Sequence, residues 1–266
     1  MAMKTTGQFT FLGTGGSMGV PVIGCHCAVC SSPSPFNKRM RPSGLIQLGT
    51  EKILIDAGPD HRNQALINRI DRLDGVIFTH AHHDHSAGID DLRVYYMHTH
   101  KALECLMSKA TYDELKYRYA YIFQPQEHYK LTTKMHIHLL ENERGEVNFL
   151  SAKLRYFTYE QGGMAVNGFK CGNLAFVSDI RHYPESIFED LSGTEILIIS
   201  ALRFTPSPLH LTVDEALAFA EKTQAKQVWF THIAHELDHE KTNAYLPEHV
   251  RLAYDGLAFD FLPEFA

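Results

Sequence analysis

The stretch Gly75-Val76-Ile77-Phe78-Thr79-His80-Ala81-His82-His83-Asp84-His85 carries the fold and the chemistry together. Its first five residues form a short apolar run of the kind that makes a buried β-strand. At His80 the strand gives way to four histidines and one aspartate within six positions. Two histidines two residues apart, leaving a strand end in a loop, can chelate one cation. An Asp-His pair directly after them can turn toward a second ion nearby. Two such ions clamp a substrate oxygen and lower the pKa of a bridging water, giving a hydroxide nucleophile near neutral pH. The apolar strand upstream is the rigid support such a site needs. A solvated histidine-rich turn is the plainer alternative, but it explains neither that strand nor the Ser86-Ala87-Gly88 that follows. His83 falls between the ligand pairs and is expected to point away from them.

On either side, short apolar runs end in polar or glycine-containing turns. Strands are expected at 8–12, 45–48, 52–55 and 73–79, then at 134–140, 147–150, 153–159, 174–178, 195–200 and 226–231. Helices are expected at 60–70, 108–119, 213–222 and 244–252. Asp214 and Glu215 suit the positive end of the third helix dipole. Strands outnumber helices, yet helices recur throughout, which predicts sheets covered by helices in a single domain spanning 1–266. No internal repeat, low-complexity segment or long linker interrupts the pattern.

The 266 residues are 44% hydrophobic and 21% charged, the balance of an ordinary globular chain. No run approaches the roughly 18 apolar residues of a membrane span. Residues 1–11 lack the apolar core of an export signal, so a cytoplasmic protein is expected. A net charge of −6 disfavours a nucleic-acid backbone as partner. It leaves room for a small phosphorylated substrate, because bound divalent ions supply local positive charge. Three of the five cysteines crowd into Cys25-x-Cys27-x-x-Cys30. Without an export signal that cluster reads as metal ligands before disulfides, and three thiolates need a fourth ligand to close a zinc site. Cys105 and Cys171 lie in apolar runs and read as core.

With these features in place, the chain resembles the metallo-β-lactamase superfamily. Within it, the resemblance is to the phosphodiesterase branch that includes the cyclic-phosphate phosphodiesterase of the carbon–phosphorus lyase pathway. It runs through Phe11-Leu12-Gly13-Thr14-Gly15, the cysteine loop, Leu54-Ile55-Asp56-Ala57-Gly58 and the histidine motif. The resemblance implies an α+β fold of the αββα type: two mixed sheets face to face, helices outside, metals at one sheet edge. It implies a first ion on His80 and His82 and a second on Asp84, His85 and His232, with Asp179 bridging. Asp179 and His232 each follow an apolar strand. It also offers His235 as the fourth ligand of a structural zinc with Cys25, Cys27 and Cys30, leaving His26 out. In the segment Arg203 to Leu211, His210 matches a histidine of the branch and is the candidate general acid, since a departing alkoxide needs a proton.

One ligand departs from the family pattern. Where a third histidine of the first ion belongs, counting back from Gly168-Phe169 gives Gln161. A neutral amide oxygen is a poorer partner than imidazole for zinc-like ions. The first ion is therefore expected to be weak, absent, or helped by Glu160 through a small backbone shift, with Gln161 facing the site. Asp56 reads as a carboxylate orienting a ligand histidine, or as ordinary turn chemistry. Arg41 and Arg203 are either phosphate contacts or solvated, and the aromatic segment 117–123 is expected to pack in the core.

The expected function is metal-dependent hydrolysis of a small or cyclic phosphodiester through a metal-bound hydroxide, with Asp84 and His210 as catalytic residues. The expected cofactors are one or two divalent ions, zinc or manganese, plus the structural zinc. The ligands alone equally suit other ester or lactone hydrolysis. An RNA nuclease of the superfamily and a non-hydrolytic, metal-binding member acting in cofactor biosynthesis are the rivals. The expected partner is a small phosphorylated substrate, with no membrane and no nucleic acid. A homodimer is compatible with the sequence.

Overall fold

The computed structural model describes residues 6–124 and 132–266. Thus the first five residues of the segment examined for an export signal lie outside it. One sheet is built from β1 (Gly7–Gly13), β2 (Ser43–Leu48), β3 (Glu51–Ile55), β4 (Gly75–Ile77), β5 (Leu103–Ser108) and β6 (Met135–Leu140). The second comprises β7 (Arg144–Phe149), β8 (Ala152–Gln161), β9 (Met164–Cys171), β10 (Leu174–Val177), β11 (Ile196–Ser200), β12 (Gln227–Thr231) and β13 (Val250–Leu252). A last strand, β14 (Ala258–Phe261), returns to the first sheet. The orders are β14-β1-β2-β3-β4-β5-β6 and β13-β12-β11-β10-β9-β8-β7. Strands β3 to β6 run parallel, as do β10 to β13, while the remaining pairs are antiparallel.

The strand period of two sorts apolar side chains into three layers. Phe9, Phe11, Ile53, Ile55 and Ile77 meet Leu174, Phe176 and Ile198 between the sheets. The alternate residues Leu54, Val76 and Phe78 face outward under helices, beside Ile89, Leu92, Tyr95 and Leu115. On the second sheet Ala175, Val177, Leu197, Ile199 and Phe230 do the same under Ala216 and Phe219. The arrangement is the expected αββα sandwich of α+β class, with both faces of each central strand buried.

The helices are α1 (His61–Ile67), α2 (His83–Ser86), α3 (Arg93–Thr99), α4 (Lys109–Arg118), α5 (Ala120–Phe123), α6 (Ile187–Asp190), α7 (Val213–Thr223) and α8 (His239–Tyr245). Helix α7 opens with a capping box: Thr212 Oγ1 accepts from Glu215 N, and Glu215 accepts from Thr212 N at 2.8 Å. Glu215 thus acts there as a cap as well as a dipole partner.

Two expectations are corrected. The segment 244–252 is not one helix: α8 ends at Tyr245, before Leu246-Pro247, and Val250–Leu252 pairs in parallel with β12. Proline disfavours helical backbone in the residue before it, and Val250-Arg251-Leu252 alternates buried and half-buried as a strand does. In the segment 117–123, Tyr119, Tyr121 and Phe123 pack against the outer core and Ile122 is buried, but Tyr117 is 84% exposed.

The parallel strands end on one edge, and each candidate ligand stands just past such an end. Asp56 follows β3, His80 lies three residues past β4, Asp179 two past β10, and His232 follows β12. The two sheets are tied together at this edge. Asn167 N donates to Thr79 O at 3.0 Å, and Gly16 N and Ile233 O form one of two bonds linking the loop after β1 to the end of β12.

Phe9 is fully buried between the sheets, its ring 5.0 Å from that of Phe11 and 6.1 Å from that of Phe176. Phe9→Ala is therefore expected to cost about 3–5 kcal/mol in urea unfolding. Tyr117→Ala, at an exposed position, is expected to stay within about 0.5 kcal/mol of the parent.

Candidate metal centre

Two groups of side chains at the common strand edge offer ligand atoms within 4.8 Å of one another: Asp84, His85, Asp179 and His232, and then His80, His82 and Asp179. Asp179 belongs to both. Its Oδ1 lies 3.1 Å from His232 Nε2, and its Oδ2 lies 3.1 Å from His85 Nε2 and 3.4 Å from His80 Nε2. Asp84 Oδ2 lies 3.3 Å from His232 Nε2 and 3.5 Å from His85 Nε2. In the other group His80 Nε2 and His82 Nδ1 face each other at 2.9 Å. His83, by contrast, is exposed.

The backbone conformation at this edge is unusual. Asp56, Asp179 and His232 all have positive φ, at 61°, 56° and 57°. Such left-handed corners are uncommon outside glycine and concentrate at functional sites. Each one turns the chain sharply after a strand. Glycines allow the close approach that follows: a Cβ at Gly58 would run into the Asp84 carbonyl.

Protons are assigned by a buried relay. Asp56 accepts from Thr79 N at 2.8 Å, from Thr79 Oγ1 at 2.8 Å and from His85 Nδ1 at 2.6 Å. Thr79 Oγ1, having donated to Asp56, can accept from His80 Nδ1 at 3.0 Å. Both histidines therefore carry the proton on Nδ1 and turn the Nε2 lone pair inward. His85 Nε2 is buried and without a hydrogen bond. Asp56 thus fills the orienting role expected of it. Thr79, which sequence reasoning did not single out, extends that role to His80. Its only signal was its place between the strand and the motif.

The electrostatics call for a cation. Burial disfavours charge on His85, but Asp179, Asp84 and Asp56 outweigh it and raise its pKa well above the usual histidine value. Burial likewise opposes ionised Asp179 and Asp84, but for each the neighbouring imidazolium charge of His232 and His85 prevails and drives the pKa down. A divalent ion would satisfy the same carboxylates without those protons. Nitrogen lone pairs and carboxylate oxygens converging in this way fit zinc or manganese.

Gln161 is buried at the edge of the first group. It ends β8, where Gly162 and Gly163, with φ of 56° and 84°, make the two-residue turn into β9. Its Nε2 lies 3.4 Å from Asp179 Oδ2 and 3.1 Å from His210 Nε2, while its Oε1 has no partner. Interchanging the amide atoms would aim the oxygen at the first group. Glu160 gives no help: it is exposed, and its carboxylate accepts from Gly163 N at 3.1 Å. His210 is buried and stacked on His232 with centroids 4.6 Å apart; burial and then the His232 charge hold its pKa down, to about 4.

The cysteine loop forms a second centre. Cys25, Cys27 and Cys30 Sγ lie 3.3, 3.5 and 3.6 Å from His235 Nδ1. Cys30 N donates to Cys27 Sγ at 3.4 Å and Val22 N to Cys30 Sγ at 3.3 Å, contacts that favour thiolates. The bond from Cys30 N and that to His235 lower the Cys27 pKa to about 6, whereas burial raises that of Cys30 to about 11. All five cysteines are free thiols; Cys105 and Cys171 are buried in the core, and His26 is exposed. Three sulfurs and one nitrogen around a common point match a closed tetrahedral zinc site.

Of the two arginines considered for phosphate, Arg41 pairs with Asp60 at 3.1 Å and lies beside Gly19, in the turn that begins at Gly16 against His232. Arg203 turns away to Glu236 at 3.3 Å and to the carbonyls of Thr205 and Pro206.

A family model described as a beta-lactamase superfamily domain matches residues 51–233. Among solved structures, a new diphosphatase from the PhnP family is 37% identical with a TM-score of 0.89, covering 97% of this chain and 99% of that one. The chain belongs to the β-lactamase superfamily and, within it, to the PhnP family. Zn(2+)-bound PqqB from Methylobacterium extorquens shares the fold at 16% identity and TM-score 0.74, covering 96% of this chain and 100% of that one. The short form of human tRNase Z does so at 18% and 0.70, covering 97% and 100%. Among curated proteins, an octanoyltransferase of Porphyromonas gingivalis is 34% identical over 251 residues, 92% of this chain. The chain spans about half the length of that relative, 50%.

Metal analysis of protein purified without added metal is expected to find one tightly held zinc, lost in Cys27→Ser. At the strand edge, Asp56→Ala is expected to weaken the exchangeable ions by about 10–100-fold in competition titration, because His85 and His80 lose their orienting partner.

Proposed function

We propose that this member of the PhnP family cleaves a small or cyclic phosphodiester, using divalent ions held by the two ligand groups that share Asp179. The chain is a metal-dependent hydrolase; the phosphodiester is the finer assignment. Asp179, with its carboxylate toward both groups, is the observation that carries it. The 37% identity to a diphosphatase supports the same bond type, since phosphorus–oxygen cleavage is common to both substrates. Bound at these groups, zinc or manganese would act as a Lewis acid on a phosphoryl oxygen and lower the pKa of an attacking water.

The chain's own residues prepare that chemistry. Asp56 and Thr79 hold the histidine tautomers, so no reorganisation is needed when substrate arrives. Gly16 leaves the edge of His232 uncovered, since a Cβ there would stand 3.4 Å from the ring. We assign to His210, stacked beside the second ligand group, donation of a proton to the leaving oxygen, a role that requires the negative charge of a bound substrate to offset the burial that holds its pKa at about 4. The thiol loop, used for metal rather than disulfides, fits a reducing compartment such as the cytoplasm. Among the described residues no helix is long and apolar enough to cross a membrane.

The other readings have less support. The likenesses to PqqB and tRNase Z, at 16% and 18% identity, extend to the fold alone. Octanoyl transfer belongs to a relative of which this chain covers 50%.

Activity on an aryl phosphodiester with added manganese or zinc is expected to fall to background in Asp84→Ala and after chelation. A wild-type protein inert with every divalent metal would sink the proposal. His210→Ala is expected to slow esters of alkyl alcohols by about 10²–10⁴-fold. Esters of 4-nitrophenol, whose leaving group needs no proton, should be slowed far less. Equal losses on both would remove His210 from the acid role. Gln161→His is expected to tighten the first ion in a calorimetric titration, because imidazole replaces an amide.

A further inference from the structure

A cleft opens beside the first ligand group. It has a volume of about 430 Å³ and lies between the first turns of α4, with Ala110, Thr111 and Glu114, and the β8–β9 turn, with Gly162 to Ala165. Ala81, only 2% exposed, forms its inner end, and Ala81 stands between the ligands His80 and His82. The hairpin wall begins directly after Gln161, whose amide reaches Asp179. The cleft thus starts at the metal ligands and runs outward. Its volume falls within the range of small-molecule pockets, about 300–1,000 Å³.

The lining decides what fits. Five of the eight residues around the cleft are alanine or glycine and Met164 is a sixth without charge, so the space exists because the side chains are small. A Cβ at Gly163 would meet nothing within 4 Å. No lysine, arginine or histidine lines the cleft among the described residues. The positive end of α4 is already capped, since Ser108 Oγ accepts from Thr111 N at 3.2 Å. The one charge on the wall is negative: Glu114, which accepts from Arg118 Nε at 2.8 Å. Arg118 also donates to Ala81 O at 2.5 Å, fixing this wall to the histidine motif. A second phosphate would meet a carboxylate here and no cation, whereas a neutral apolar group would bury no unpaired charge. We propose that the cleft holds one ester arm of the substrate, and that this arm is a neutral, apolar group such as a phenyl ring. The inference rests on the phosphodiester reading above, in which ions on the ligand groups hold the phosphoryl group. The leaving oxygen faces His210, beside the second group, so the arm beside the first group is the one retained in the product. Ala110 and Ala165, one on each wall, then set specificity by leaving room.

The test compares methyl 4-nitrophenyl phosphate with phenyl 4-nitrophenyl phosphate, which share a leaving group and differ in the retained arm. On the full chain with added manganese, KM should be about tenfold lower for the phenyl ester, the effect of burying one ring. A 4-carboxyphenyl arm should lose that advantage. Ala110→Leu/Ala165→Leu, which fills the cleft from both walls, should bring the ratio of the two KM values to about one, with the loss on the phenyl ester. Both positions are exposed, so this variant should keep the parent far-ultraviolet circular dichroism. Equal KM values in wild type overturn the proposal, as does a filled cleft that leaves the ratio unchanged or a carboxyphenyl ester preferred to the phenyl one. Wild type inert on every ester would instead sink the hydrolase reading. The cleft is then tested by calorimetric titration of the manganese-loaded protein with phenylphosphonate and methylphosphonate. Phenylphosphonate should bind about tenfold tighter in wild type and equally in the filled variant. Equal binding of the two by wild type overturns the proposal.

Discussion

The structure depends on a single buried carboxylate. Asp179 sits where the two sheets meet, within 3.4 Å of imidazole nitrogens from both. A carboxylate withdrawn this far from water is costly unless it is paired. Here its partners come from the strand edge opposite as well as from its own sheet. His80 and His85 come from the first sheet, and His232 from the second. Whatever positive charge neutralises Asp179 therefore also clamps the two halves of the sandwich. The second centre repeats the arrangement, with cysteines from the loop after β1 and a histidine from beyond β12.

The two halves of the strand-edge site are unequal. The group with Asp84, His85 and His232 has an oriented histidine and two carboxylates. The group with His80 and His82 has one shared carboxylate and, where a further imidazole would complete it, a glutamine engaged with His210. A neutral amide contributes neither charge nor a strong nitrogen donor, and by its chemistry is the poorer partner for a cation. The same amide links the first group to His210.

Much of this was legible in the sequence, and the reasons are local. Short apolar runs bounded by turns are a local signal, and they located the strands that carry Leu54, Ile77 and Phe176, while the layer each side chain enters appears only in the fold. The histidine motif declared itself by density. The resemblance supplied Asp179 and His232, which lie far from the motif in sequence and meet it only in the fold. What could not be read depends on approach in space. Thr79 is an unremarkable residue until Asp56, 23 positions earlier, is folded against it. Glu160 and Gln161 are neighbours in sequence, and strand pleating sends one to solvent and the other inward. Val250-Arg251-Leu252 reads as a helix end until a parallel neighbour is present to pair with it. Helix α3, with seven residues, has too few turns to announce a periodic face.

The left-handed corners at Asp56, Asp179 and His232 carry a last implication. Aspartate, asparagine and histidine are the non-glycine residues that tolerate this backbone best. Two of the three are also ordinary metal ligands. At these strand ends, then, the backbone geometry and the coordination chemistry favour the same small alphabet. Mutational drift is channelled accordingly. Asparagine can occupy Asp56 or Asp179 without bending the corner and strips the charge alone, whereas a β-branched residue breaks the turn and the ligand together. A lineage carrying this scaffold can lose its reaction by one gentle step and keep its shape.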